Sequence, residues 1–379
     1  KNGEKLPSWI HEMKKRKITS FYKIEGGKRK FLDINTFQYI DFPNEDEFII
    51  LDSLRSFKPI YKNSECIVHD IGDDVLCVEF ISKSNSIGEG IGKGINEAIM
   101  IAEERGLRGV VIGNNAKQFS VGANLMNVGM LAMQKDFESL SKLIEGFQNL
   151  NMLIRTSKVP VVVATQGYVF GGGCEIAMHC DAGIYAAESY IGLVEVGVGL
   201  LPAGGGTKEM VLRSSDKFYE GDVKIPILID HFKAIATASV STSAWEGFEY
   251  NYLVSNKDYV CVNTIRNIAM AKDKVIELSK NYMPPSPRSD IEVLGNSGLS
   301  TLYSAINEFK LAGYMSDYDV EIRRKIAYVM TGGDLSSPQQ VSEQYLLDLE
   351  REAMLSLLGN QKTLDRIQYL LMNNKPLRN

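Results

Sequence analysis

The stretch VVVATQGYVFGGGCEIAM, residues 161–178, decides the fold. Its first half is a β-branched apolar run that predicts a buried strand over 160–165. A short loop follows, then three consecutive glycines, Gly171, Gly172 and Gly173, directly before a helix-forming segment that starts at Cys174. Glycines there let the backbone turn tightly and expose its amides at a helix N-terminus. The unpaired N–H groups and the helix dipole at such a point favour developing negative charge. Glu175 follows the triplet at once, where its charge suits the helix start.

Two further segments carry comparable chemistry. FSVGANL, residues 119–125, places Gly122 at a strand exit so that the Ala123 amide can be presented. Two amides aimed at one carbonyl oxygen are the usual minimum for stabilising an enolate or tetrahedral oxyanion, and each contributes about 3 to 4 kcal/mol. IGLVEVGVG, residues 191–199, sets Glu195 among apolar residues, where an unpaired carboxylate is costly and its pKa is expected to rise toward a range useful for proton transfer. Taken singly, each glycine cluster is more often a tight turn, and Glu195 could equally be an ion-pair partner or a strand-edge residue. Gly88, Gly90, Gly92 and Gly94 alternate but fit neither GxGxxG nor the phosphate-loop pattern. They read as a flexible loop entering a helix.

Working outward, strand and helix alternate: strands over 74–82 and 109–113, helices over 94–104 and 137–154. This is an α/β signature. Beyond residue 260 the pattern is almost wholly helical, over 261–282, 299–314, 317–330, 338–358 and 362–372, with Ser336, Ser337 and Pro338 reading as a helix start. Residues 1–62 are irregular, basic at first and aromatic-rich. The expected domain limits are a connector and remnant of a preceding region over 1–74, an α/β core over 75–260 and a helical extension over 261–379.

Composition excludes several classes. The 379 residues are 44% apolar and 23% charged, which is a folding chain. No apolar run approaches the roughly 18 to 20 residues of a bilayer span. A net charge of -5 argues against a general affinity for nucleic acid. Five cysteines without a CxxC pair point away from disulfides or zinc and toward a reducing cytoplasm, and four isolated histidines leave few players for metal or His-based nucleophilic sites.

Together, the segments 119–125 and 159–178, Cys180 and Asp181, the run 192–199 and LPAGGGTK at 201–208 resemble, in order and spacing, the enoyl-CoA hydratase/isomerase (crotonase) superfamily. The resemblance is strong over 75–208, weaker around 237–254 and thin afterwards. Residues 213–233 look like an insertion relative to compact members. It implies an α/β fold, a crotonase-like ββα spiral with an extended α-helical C-terminal region. It also implies the Ala123 and Gly172 amides as an oxyanion hole, Glu175 and Glu195 as paired catalytic glutamates, and Gly122, Gly171 and Lys117 as substrate-binding residues, the lysine near CoA phosphates. Retention of both glutamates favours hydration of a trans-2-enoyl-CoA to 3-hydroxyacyl-CoA, as in fatty acid β-oxidation. Isomerisation, acyl-CoA hydrolysis and a silent acyl-CoA-binding or assembly role on the same fold stay open. No metal or redox cofactor is implied in these residues. Asn124 stands where the family commonly has Asp, and Val194 where it often has Pro.

The segments 7–13 and 20–23 and the C-terminal residues 375–379 resemble the last part of bacterial bifunctional proteins in which a 3-hydroxyacyl-CoA dehydrogenase precedes the hydratase region. With Lys rather than Met at position 1, the expectation is a piece of such a protein, with NAD bound only by the part ahead of it. The partners expected are the acyl-CoA substrate and a homo-oligomer or a thiolase.

Overall fold

A computed structural model describes residues 6–25, 28–42 and 47–379. Its centre is a seven-stranded sheet in the order Asp258–Cys261, Ala182–Ala186, Val161–Thr165, Gly109–Gly113, Val75–Phe80, Cys66–Asp70, Tyr61–Lys62. The first five strands run parallel and the last two pairings are antiparallel. Parallel strands covered on both faces read as continuous apolar runs, which is why GVVIG and VVVAT lack polar alternation. Val110, Ile112, Val161 and Val163 face the larger core under helix Glu89–Glu104. Val111, Val162 and Ala164 face a smaller one under helix Asn267–Ser279.

Four expectations differ from what is seen. The sheet takes in Tyr61–Lys62 and Cys66–Asp70, inside the stretch read as connector, because the buried CIVHD run pairs with Val75–Phe80 from Cys66 to Asp70. Ahead of it stand helix Ser8–Lys15 and a three-stranded antiparallel sheet of Tyr22–Glu25, Lys28–Leu32 and Tyr39–Asp41. Residues 1–5, 26–27 and 43–46 of the expected connector lie outside the described residues. The alternating glycines are no loop, since Gly90, Gly92 and Gly94 lie within helix Glu89–Glu104. They let it approach the sheet edge, where a Cβ on Gly94 would stand 2.0 Å from Cys66 Sγ. The helix expected over 338–358 begins only at Glu343: Gln339–Val341 pairs with Ile291–Val293, and the Ser342 hydroxyl then accepts from Tyr345 N at 3.1 Å as a cap. Helix Asn267–Ser279, placed by sequence in the helical extension, packs on the sheet itself.

The spiral repeat positions the site. Strand Val161–Thr165 is followed by a short strand, Tyr168–Phe170, and by helix Gly172–His179; strand Ala182–Ala186 is followed by Tyr190–Gly192 and a 3-10 turn, Glu195–Val198. Corresponding strands of these two turns pair in parallel, Ala182 with Val162 and Gly192 with Phe170. The offset is twenty residues at Ala182 and Val162 and twenty-two at Gly192 and Phe170, which sets the Glu195 turn beside the corner that carries Glu175. A bridge from Ser120 to Val169 adds the Ala123 turn to the same stack.

Candidate active site

Two glycines with positive φ shape the corner where the Ala123 and Gly172 amides meet. Gly122 has φ 97° and Gly171 has φ 51°, conformations that L side chains adopt only with strain. Gly172 opens its helix, so its N–H has no partner within it. A Cβ on Gly172 would lie 3.5 Å from Ala123 N, and one on Gly122 would lie 3.6 Å from Gly172 N. The two amides are therefore neighbours across a gap that only glycine leaves open. The backbone hydrogen bonds of the Ala123 turn run from Ile87 N to Gly122 O and from Asn124 N to Ile87 O, which leaves the Ala123 amide out of that ladder.

A cavity of about 810 Å³ opens on this corner, with Ala123, Gly172, Glu175 and Glu195 in its wall. Gly122 and Gly171 line it as well, and Phe147, Leu150 and Leu201 supply apolar surface. Glu175 is buried, and its Oε1 accepts from both Gly204 N and Gly206 N at 2.8 Å. Burial pushes its pKa up to about 7, against the lowering pull of the Gly206 and Gly204 amides and of Lys208. Glu195 stands across the corner: a Cβ on Gly171 would be 3.0 Å from its Oε1. Its Oε2 is buried and has no hydrogen-bond partner among the described residues. Burial first, and the Glu175 charge second, hold the Glu195 carboxyl well above the carboxylate range. Of the pair, Glu175 therefore gives up its proton more readily than Glu195.

Behind Glu175 lies a buried ionic network. His179 Nδ1 is 2.7 Å from Glu175 O, and its Nε2 is 2.9 Å from Lys208 Nζ. Lys208 bonds Glu209 at 2.7 Å, and Arg155 bridges Glu209 and Glu343. Burial alone would raise Glu209, but Arg155, Lys208, His179 and Arg213 hold it well below its ordinary pKa. Lone buried charges are costly, and pairing is what makes them tolerable here.

The sequence-predicted residues are placed unequally. Ala123, Gly122, Gly171, Gly172, Glu175 and Glu195 come together in one wall of the cavity. Lys117 does not join them: it is exposed, in a loop whose backbone packs on Gly167, outside the cavity lining. Lys93 and Lys142 stand at the cavity instead. Asn124 caps helix Leu125–Met133, accepting from Met126 N at 3.1 Å, and so keeps the hydrogen bond an Asp would make there. The 213–233 stretch is the end of helix Gly206–Ser215, a loop and most of helix Ile225–Ala236, and it contributes nothing to the cavity wall. Sequence reasoning missed Gln148 and Glu350. Gln148 Nε2 donates to Ala203 O at 2.9 Å and Leu347 O at 2.8 Å, and both Glu350 oxygens accept amides of the loop that binds Glu175. A polar residue inside an amphipathic helix carries no local signal that it will be buried.

The ββα spiral thus brings two glutamates and a two-amide corner to one cavity. Residues 73–214 match the family model for enoyl-CoA hydratase/isomerase. A Bacillus subtilis (strain 168) protein named "Probable 3-hydroxyacyl-CoA dehydrogenase" is 37% identical over 100% of this chain and 47% of its own length. The mitochondrial enoyl-CoA hydratase of Pongo abelii is 34% identical over 33% of this chain and 42% of its own. The crystal structure of a carnitinyl-CoA dehydratase from Mycobacterium thermoresistibile superposes with a TM-score of 0.58 at 17% identity, over 83% of this chain and 91% of that one, which shows the shared fold. The chain spans about half the length of the Bacillus relative. Among the described residues no helix is long and apolar enough to cross a membrane.

Proposed function

We propose that the chain hydrates trans-2-enoyl-CoA thioesters to 3-hydroxyacyl-CoA. The observation that carries this is the pair of carboxylates, Glu175 and Glu195, facing one cavity beside the adjacent Ala123 and Gly172 amides. The thioester oxygen lies between the two amides, which stabilise the charge that develops on it as the enolate forms. Glu175, as carboxylate, takes a proton from water as it attacks Cβ, and protonated Glu195 delivers a proton to Cα. Glu195, held further above the carboxylate range than Glu175, is the one better suited to start protonated, which supports those roles. The apolar wall takes the acyl chain.

The setting we infer is fatty acid β-oxidation in the cytoplasm, with an NAD-dependent 3-hydroxyacyl-CoA dehydrogenase acting in the same longer protein. The name of the Bacillus relative supports that second activity, and the five free buried cysteines fit a reducing compartment. No cofactor is required by the chemistry proposed for these residues, and a homo-oligomer or a thiolase is the partner we expect. The test is loss of the conjugated enoyl absorbance when 2-enoyl-CoAs of several chain lengths meet the chain. No loss at any length would overturn the proposal.

A further inference from the structure

Two C-terminal helices reach the backbone segments beside the two carboxylates. Glu175 takes the amides of Gly204 and Gly206. The amides between and beyond them go elsewhere: Gly205 N donates to Glu350 Oε2 at 2.9 Å, and Lys208 N donates to Glu350 Oε1. Two carboxylates therefore share the amides of one short segment, the glycine run and the first turn of helix Gly206–Ser215. Glu350 belongs to helix Glu343–Leu358 and is fully buried.

The Glu195 turn has a counterpart. It ends at Gly199, φ 82°, whose carbonyl accepts from Thr363 Oγ1 at 2.8 Å. Thr363 is fully buried, bonded to Tyr318 Oη, and lies on helix Gln361–Asn373. Arg366, one turn on, reaches Asp319 at 3.0 Å and lies against Val196 O. A Cβ on Gly199 would stand 2.9 Å from Thr363 Oγ1, so the contact is close-packed.

We propose that these two helices position the reacting pair, Glu350 by holding the loop that binds Glu175 and Thr363 by holding the turn that carries Glu195. The catalytic part of this statement rests on the hydratase reading; the structural part does not. Neither residue touches the reacting atoms, so both are positioning residues. Both Glu350 oxygens act as acceptors, and a glutamine offers one oxygen and turns an NH2 on the other amide. The loop then shifts, and a displacement near an ångström at a reacting group costs on the order of a hundredfold in rate.

The experiment compares the full chain with Glu350→Gln and Thr363→Val by amide hydrogen exchange and steady-state kinetics on crotonyl-CoA. Glu350→Gln is expected to speed exchange across 201–208 about tenfold and Thr363→Val across 195–200, with distant segments unchanged. Each variant is expected to lose kcat by about 10- to 100-fold with KM within about twofold. Unchanged exchange in these segments, or equal acceleration throughout the chain, overturns the proposal. Should Glu350→Gln not accumulate as folded protein, Glu350→Asp, which keeps the carboxylate on a shorter side chain, replaces it with the same exchange pattern expected across 201–208, and Thr363→Val decides the second helix. A wild-type chain inactive on enoyl-CoA would sink the hydratase reading, and the exchange pattern would still decide the positioning.

Discussion

Glu175 and Glu350 bind alternate amides of a single glycine loop, Gly204 and Gly206 for the first, Gly205 and Lys208 for the second. A buried carboxylate is thereby held by a backbone that a second buried carboxylate holds in turn. The side chains are 175 residues apart in sequence, and one loop sets where both stand.

Glu175→Gln and Glu195→Gln should each cut hydration of crotonyl-CoA by about 10²- to 10⁴-fold, the usual contribution of a positioned acid or base. Binding of a saturated acyl-CoA, followed by calorimetry, should change little, because neither substitution alters the amide pair. If one variant keeps nearly full turnover of a 3-enoyl-CoA, the proton shuttle is that of an isomerase.

With Glu175 near 7 and needed as carboxylate, kcat should fall on the acid side, about tenfold per pH unit well below that value. Stability runs the other way. The folded-state pKa is raised above the ordinary 4.5, so the native state binds more protons than the unfolded one between those values, and stability falls as pH rises through them. Glu175→Gln keeps an oxygen for the Gly204 and Gly206 amides without the buried charge. Its melting temperature should exceed that of the wild type by a margin that widens from pH 5 to pH 8.

Gly172→Ala should block the oxyanion corner. The new Cβ would sit 3.2 Å from Phe147 Cζ and 3.5 Å from Ala123 N, in the space the thioester oxygen needs. A kcat loss of about 10²- to 10³-fold is expected, with thermal stability nearly retained, since the φ of Gly172 is not positive.

Arg155→Met should destabilise the fold by about 3 to 5 kcal/mol in urea unfolding, because it takes a shared partner from Glu209 and Glu343, both buried. Unfolding free energy within 1 kcal/mol of the wild type, on the order of a surface pair, would show the network to be solvated.

Gly94→Ala should cost about 1 to 3 kcal/mol through overpacking against Cys66. Cys66→Gly in the same chain should recover part of that loss, since it removes the colliding sulfur; additive losses in a double-mutant cycle would refute the contact.

The central strands were legible because parallel strands buried on both sides must be continuously apolar, as residues 109–113 and 161–165 are. The glycine turns beside the Ala123 and Gly172 amides were legible for a similar local reason: Gly122 and Gly171 occupy φ values that other residues avoid, and Gly172 leaves a gap that a side chain would fill. Where local preference and tertiary packing disagreed, packing prevailed. Gly90, Gly92 and Gly94 are poor helix formers, yet they lie in a helix, and the bare Gly90 and Gly94 let it press on Glu65 and Cys66. Pro338 looked like a helix start, but the residues after it complete a strand pair with Ile291–Val293.

Sequence by itself therefore determined which residues could serve, since glycines at strained corners and glutamates in apolar runs announce themselves through the backbone geometry and burial they require. Tertiary structure alone decided their companions. The parallel register brings Glu195 to Glu175, the fold leaves Lys117 on an exposed loop away from the cavity, and long-range packing delivers Glu350 and Thr363 to loops far from them in sequence. Contacts made across so many residues depend on where whole helices dock, and no local pattern of side chains encodes that.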